Sequence, residues 1–284
     1  FQNKDWRVGV YFNIAHNENK ITEMPDNYIE ENYTFGNGNY AYRREEGRPM
    51  GSFYGYRYKG VYQNKDATYA RDIEGNVMKD ISGNAIVMRN GSYTVAPGDA
   101  IYEDVNHDGV INQYDIVYLG NSNPRLTGGA GLNVSYKQFK LSAIFYGRYG
   151  QDVVNATRLN NESMRGIDNQ STAVLRRWRN EGDQTDIPRA LYGEGYNTLG
   201  SDRFVEDASY LRLKSLSFTY RLPKKAIQRW GFNNIDVYVT GYNLFTWTNY
   251  TGQDPEVKTE NTYAKDTATT PASIQLVAGF NLSF

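Results

Sequence analysis

Apolar and polar side chains alternate with period two over the last dozen residues. Ile274, Leu276, Ala278, Phe280, Leu282 and Phe284 share one face, and Ser273, Gln275, Gly279, Asn281 and Ser283 the other, with Val277 out of step. The same alternation runs from Trp6 to Ala15, where Trp6, Val8, Val10, Phe12 and Ile14 oppose Arg7, Gly9, Tyr11 and Asn13. Leu126 to Tyr136 and Phe139 to Tyr149 repeat it on either side of Lys137-Gln138, which predicts a hairpin with a two-residue turn. Further strands are predicted over 210–222 and 235–245, and a less regular one, rich in Tyr and Gly, over 52–62. Within 210–222 the apolar positions change parity between Leu213 and Leu216, which predicts a bulge. Strands that cross a bilayer need about 9–11 residues, apolar toward lipid and polar toward the lumen. The expected fold is therefore all-β: an antiparallel transmembrane β-barrel segment of about seven strands with long extracellular loops.

Three long connections, 63–125, 150–209 and 246–271, separate these strands, and connections of this length usually carry function or local structure. In the first, Asp72-Ile-Glu-Gly-Asn76 and Asp80-Ile-Ser-Gly-Asn84 predict two tight turns of a small meander. The sharpest chemical motif follows, Asp104-Val-Asn-His-Asp-Gly-Val-Ile-Asn-Gln-Tyr-Asp115. Asp104, Asn106, Asp108, Asn112 and Asp115 offer oxygen at loop positions 1, 3, 5, 9 and 12, Val110 a backbone carbonyl, and Gly109 the sharp turn of a calcium loop of the EF-hand kind. Ile111 should point inward. Asp in place of Glu at position 12 resembles dockerin-type loops, and the expected cofactor is a structural Ca2+ that stiffens the loop. In the second connection Ser171 is placed to cap a short helix over 172–180, whose Arg176, Arg177 and Arg179 read as a solvated face. Lys224 to Gly231 reads as a short amphipathic piece.

No apolar run approaches the roughly 20 residues of a membrane helix, so a helical membrane protein is excluded. A net charge of −1 gives no sequence-independent grip on nucleic acid. With no Cys, disulfides and thiolate chemistry are absent. The 25 Tyr suit interfacial aromatic girdles or a sugar-binding surface, and Tyr192, Tyr196, Trp247 and Tyr250 are candidate loop aromatics for stacking on sugars. An enzyme is not expected. Only His16 and His107 are available, and adjacent acids such as Glu30-Glu31 point to opposite faces when extended.

Several blocks, in one order, carry a resemblance. They are Gly51-Ser-Phe-Tyr-Gly-Tyr56, the stretch from Gly98 to Asp115, Gly120-Asn-Ser-Asn-Pro-Arg125, and Arg177-Trp-Arg-Asn-Glu-Gly182 with Thr185-Asp-Ile-Pro-Arg189. Ser209-Tyr-Leu-Arg-Leu-Lys214, Gly241-Tyr-Asn-Leu-Phe-Thr-Trp247 with Asp254-Pro-Glu256, and the Phe-terminated strand complete the set. Together they resemble the C-terminal part of the SusC/RagA family of TonB-dependent transporters from the outer membrane of Bacteroidota. The resemblance implies a barrel of about 22 strands around a plug, energy from TonB, a SusD-like surface lipoprotein as lid, and import of oligosaccharides or oligopeptides. It also implies that residues 1–284 form the C-terminal portion of the barrel, with the plug and the remaining strands on a missing N-terminal fragment as partner. The alternative reading is a calcium-dependent surface glycan-binding protein.

With seven strands alternating in direction, the connections after Ala15, Tyr136 and Leu222 fall on one side and the three long ones on the other, as outer-membrane barrels require. Phe1 then lands outside. The expectation is a transporter divided in an exposed loop, where nicking is tolerated.

Overall fold

The computed structural model describes residues 1–24, 36, 38–257, 259–260 and 263–284. Six long strands form one antiparallel sheet: β1 (Trp6–His16), β2 (Leu126–Tyr136), β3 (Phe139–Tyr149), β4 (Tyr210–Arg221), β5 (Asn234–Thr248) and β6 (Gln275–Ser283), hydrogen-bonded in that order. Each follows its predecessor around the sheet, the up-and-down topology of a barrel wall. The short connections are the Lys137-Gln138 turn and the β4–β5 link, which carries the helix Lys224–Ile227 and the 3₁₀ turn Gln228–Trp230. The connections after β1, β3 and β5 are long and all leave from the opposite end of the sheet.

The register turns six local alternations into one amphipathic surface. From the short-turn end, successive levels on one face read Trp6–Tyr136–Phe139–Tyr220–Val237–Phe280, then Val8–Val134–Leu141–Phe218–Val239–Ala278, then Val10–Leu132–Ala143–Leu216–Gly241–Leu276. Phe12–Ala130–Phe145–Leu213–Phe245 and Ile14–Gly128–Gly147–Leu211–Trp247 continue it, and His16–Leu126–Tyr149 closes it at the rim. The predicted bulge is present: the register shifts between Leu213 and Ser215, so that Leu211 and Leu213 share a face with Leu216 and Phe218. The levels span the eleven residues of β3, about 34 Å along the strand and about 26 Å along the axis at a tilt near 40°.

The predicted strand count needs correction. The segment 52–62 is not a barrel strand: Ser52–Gly55 and Tyr58–Val61 are short strands that pair with Val117–Asn121 and Ala100–Tyr102 above the sheet. Phe53, Tyr54 and Tyr56 are buried, and two Tyr hydroxyls find partners, Tyr54 on Glu45 at 3.1 Å and Tyr56 on the Asn112 carbonyl at 3.1 Å. A Tyr-rich segment thus fits a buried core as well as a membrane wall. The sheet therefore has six strands rather than seven. Removing one strand reverses the direction of β1, so the chain enters the long connection directly after His16, and Phe1 lies at the short-turn end, where the Lys137 N–H donates to the Asp5 carbonyl at 2.9 Å.

The long connections fold over one end of the sheet as a shell with its own cores, the largest around Tyr54, Tyr56, Tyr102, Ile111 and Leu199. The two Asp-Ile-x-Gly-Asn segments form identical turns, with Asp72 Oδ1 accepting the Glu74 and Asn76 N–H groups and Asp80 Oδ1 those of Ser82 and Asn84. They are corners of a triangle rather than of a meander. The Ala70 N–H donates to Ile86, Ile86 to Met78 and Met78 to Ala70, all at 2.8–2.9 Å, closing a ring at an eight-residue period. The predicted helix over 172–180 shortens to the 3₁₀ segment Thr172–Arg176, whose Ala173 N–H the Ser171 hydroxyl accepts at 3.2 Å.

Candidate functional site: the polar wall and the acidic loop

The second face of the sheet is polar. Its levels read Arg7–Ser135–Lys140–Thr219–Tyr238, Gly9–Asn133–Ser142–Ser217–Thr240, Tyr11–Gly131–Ile144–Ser215–Tyr242, Asn13–Gly129–Tyr146–Arg212–Thr246 and Ala15–Thr127–Arg148–Tyr210–Thr248. Val277, the residue out of step in β6, lies on this face opposite Thr240. Direct cross-strand bonds tie the levels together, Ser142 Oγ to Asn133 Oδ1 at 2.5 Å and Ser217 to Thr240 at 2.8 Å. Glycine has a packing role here: the Tyr11 ring occupies the space that a Cβ on Gly131 would need.

Near the shell, this face carries a dense group of charges. Arg212 is buried and donates to Thr246 Oγ1 at 2.8 Å, to Glu256 at 2.9 Å and to Asp254. Lys214, the residue at the bulge, joins Glu256 at 2.8 Å. The acidic loop segment 254–256 is thereby pinned against the wall by charge-assisted bonds. Burial alone would raise the Asp254 carboxyl, but the Ala272 and Glu256 N–H groups and Arg212 hold it below the usual carboxylate range.

The three connections interlock by buried polar contacts. Arg189 from the second meets Asp99 of the first at 2.7 Å, with Tyr93 and Asn197 in the same network. The Trp178 ring lies over Gly98, which adopts φ +89°. Glu206 accepts from Thr251 of the third connection and from Arg158.

The acidic loop is a chain of side-chain turns. Asp104 Oδ2 accepts the Gly109 N–H at 2.8 Å and Oδ1 that of Asp108 at 3.2 Å, Asn106 Oδ1 accepts from Asp108 at 3.2 Å, and Asp108 Oδ1 from Val110 at 2.7 Å. Gly109 takes the left-handed turn at φ +82° beneath Ala70, and Ile111 is fully buried, as its position in the motif predicts. Asp115 is buried, and its two oxygens accept the Val105 and Asn112 N–H groups at 2.8 Å each. Burial raises its carboxyl. Asn112 turns its Nδ2 to the Val110 carbonyl at 3.0 Å and its Oδ1 to the Tyr114 N–H at 2.8 Å. The structure thus gathers Asp104, Asn106 and Asp108 at one turn and uses Asp115 as a strut that closes the loop. The oxygen donors suit a hard divalent cation, with Asn112, Asp115 and the Val110 carbonyl engaged inside the loop. Among the described residues, no three His, Asp or Glu side chains cluster as metal ligands.

The candidate sugar-stacking aromatics separate. Tyr192 is exposed, but Tyr196 stacks on Tyr93 with centroids 4.7 Å apart, Tyr250 is buried with its hydroxyl on Asp266 at 2.6 Å, and Trp247 belongs to the apolar face of the wall. No local pattern pointed to the Arg212 cluster, whose partners lie more than 30 residues away in sequence.

No protein-family model matches the chain. It is 32% identical over 266 residues to TonB-dependent receptor P3 of Formosa agariphila, covering 91% of this chain and 24% of that receptor. It is 27% identical over 290 residues to TonB-dependent receptor SusC of Bacteroides thetaiotaomicron, covering 99% of this chain and 25% of SusC. Among solved structures, that of the RagAB peptide importer in the closed-closed state aligns over the whole chain with a TM-score of 0.71 and 27% identity, covering 28% of the matched chain. The chain spans about a quarter of the length of the curated relatives it matches.

Proposed function

Because the chain belongs to the SusC/RagA-type TonB-dependent transporters, we propose that it forms part of the wall and outer shell of a barrel that imports nutrients across the outer membrane. The observation that carries the reading is the six-strand wall whose register makes one face apolar, with His16 at its outer rim the exception in the paired levels, and the other polar. In this reading lipid covers the apolar levels, with Trp6, Tyr136, Phe139 and Tyr220 as one aromatic girdle and Tyr149 and Trp247 as the other. The polar face lines the lumen, and the long connections face the cell exterior. The plug, TonB and a SusD-like lipoprotein are the expected partners.

The cargo is an oligopeptide or an oligosaccharide. Likeness to a peptide importer supports the first and likeness to SusC leaves the second open. The test is uptake by cells carrying the full-length transporter, with labelled peptides and labelled glycans supplied in parallel, with and without TonB. TonB-dependent accumulation of either class is expected. Equal accumulation without TonB refutes the reading.

The same proposal assigns Ca2+ to Asp104, Asn106, Asp108, Val110, Asn112 and Asp115, where it would cross-link the loop and stiffen the shell. Binding requires Asp115 and the Val110 carbonyl to exchange their present hydrogen-bond partners for the ion. Calcium should slow proteolysis of the shell, and Asp104→Asn with Asp108→Asn should abolish that protection. Protection that survives the double substitution removes calcium from this loop.

A further inference from the structure

At the shell end of the polar wall, four side chains form a two-by-two checkerboard. Tyr146 lies opposite Arg212 and Arg148 opposite Tyr210, all on one face. Each guanidinium lies over the Tyr of its own strand, Arg148 over Tyr146 at 5.9 Å and Arg212 over Tyr210 at 5.3 Å. The two halves differ in one respect. Arg212 is neutralised by Asp254 and Glu256, whereas Arg148 donates through Nε to the Tyr146 hydroxyl at 3.2 Å and has no carboxylate within 4 Å among the described residues. Lys214 shares Glu256 and lies 5.7 Å from the Tyr146 ring, so three cations face two carboxylates.

Beside Arg148, Tyr210 is only 5% exposed, and its hydroxyl is buried with no hydrogen-bond partner among the described residues. Buried O–H groups are nearly always satisfied, and an orphan marks a place where an acceptor belongs. A guanidinium fork with free N–H groups and a phenol O–H with no acceptor both call for an oxyanion. The Arg212 half shows what a guanidinium in this setting takes, since carboxylates fill the equivalent place there.

We propose that Arg148 and Tyr210 bind a carboxylate of the imported molecule at the outer end of the lumen. Arg148 supplies the charge and the planar fork, and Tyr210 a third donor that fixes the orientation. A cation is repelled by Arg148 and Lys214, and a neutral hydroxyl satisfies Tyr210 but leaves Arg148 uncompensated. The inference rests on the importer reading above and narrows the cargo to molecules with an acidic group.

The experiment uses the full-length transporter purified with its lipoprotein partner in detergent. Two probe pairs are offered in competition: casein tryptic peptides with free carboxylates against the same peptides amidated, and oligogalacturonate against its methyl ester. Mass spectrometry of the retained molecules reads the acid-to-neutral ratio. The wild-type complex should favour the acid form of the class it binds by about tenfold. Arg148→Gln should erase the preference without weakening retention of the neutral form, and Tyr210→Phe should reduce it about threefold. An unchanged preference in Arg148→Gln overturns the proposal, as does equal loss of acid and neutral forms. An unchanged preference with a lowered melting temperature assigns the carboxylate to another part of the polypeptide, which also overturns it. If neutral forms are imported under TonB control and no acid preference exists, the carboxylate site fails and the importer stands. If an intact complex neither retains nor imports any form, the importer reading falls and this inference with it.

Discussion

Leu276 and Val277 are adjacent apolar residues that the register sends to opposite faces of β6, and replacing each by Arg separates the two faces quantitatively. Leu276 sits on the third of six levels, near the middle of the belt, and is 74% exposed within the chain, so in the proposed barrel lipid covers it. A charged side chain on the lipid face at midplane costs about 2–4 kcal/mol. That is about 30-fold to 700-fold in the folding equilibrium. Val277 shares its level with Thr240, Ser217, Ser142 and Asn133, where a lumenal Arg keeps its water and the change should stay within about 1 kcal/mol. The assay is urea unfolding of the full-length protein in lipid vesicles, followed by the heat-dependent gel mobility of folded barrels. Side-chain hydrophobicity alone predicts similar losses for both. Equal losses, or a larger loss at Val277, refute the assignment of faces.

Arg212→Ala leaves Asp254 and Glu256 without their cation and should cost about 2–4 kcal/mol, less than a fully buried pair because both carboxylates can take up water; release of the 249–274 loop to protease is the readout. Gly98→Ala drives a Cβ into the Trp178 ring at a φ of +89°, so the shell should lose about 2–4 kcal/mol while the wall stays intact, as hydrogen exchange of the two regions would report. Burial pushes the Glu206 carboxyl up, but the Thr251 N–H and hydroxyl and the Arg158 guanidinium outweigh it and hold it below the usual range. Its stabilising contribution is therefore present above its unfolded pKa of about 4.3 and is lost as pH falls through the lower folded value. Acid should loosen the contact between the second and third connections, and Glu206→Gln should blunt that pH dependence in a protease-sensitivity titration.

The wall was legible in the sequence because a sheet with one apolar face imposes a period of two. Every second residue of a long strand must be apolar, and even the parity change at Leu213 and Leu216 appeared in the structure as the bulge that puts Lys214 beside Arg212. The segment 52–62 was misread because a Tyr ring with a polar tip satisfies a buried core and a membrane wall equally. That one strand mattered beyond itself, since in an alternating sheet a miscounted strand inverts everything before it, and Phe1 changed ends. The sharp turn at Gly109 and the inward Ile111 of the acidic loop were legible from spacing, because its side chains bond backbone groups within five residues for the most part. Tyr210, Arg212, Lys214, Asp254 and Glu256 lie in blocks that carry the resemblance, but their meeting, like that of Arg148 with Tyr210, was not legible, because register and a loop folding back bring them together.

The ring of three hydrogen bonds through Ala70, Met78 and Ile86 has no free end, since each residue gives one N–H and takes one. Its corners lie outside the closed circuit, with Ile73 and Ile81 largely in solvent. The triangle is thus a frame with replaceable corners: a peptide tag inserted between Ile81 and Ser82 lengthens one corner without opening the circuit, whereas deleting a whole eight-residue side breaks it. The shell carries a built-in mounting point for labels, at a corner of the frame that supports the acidic loop through Ala70 and Gly109.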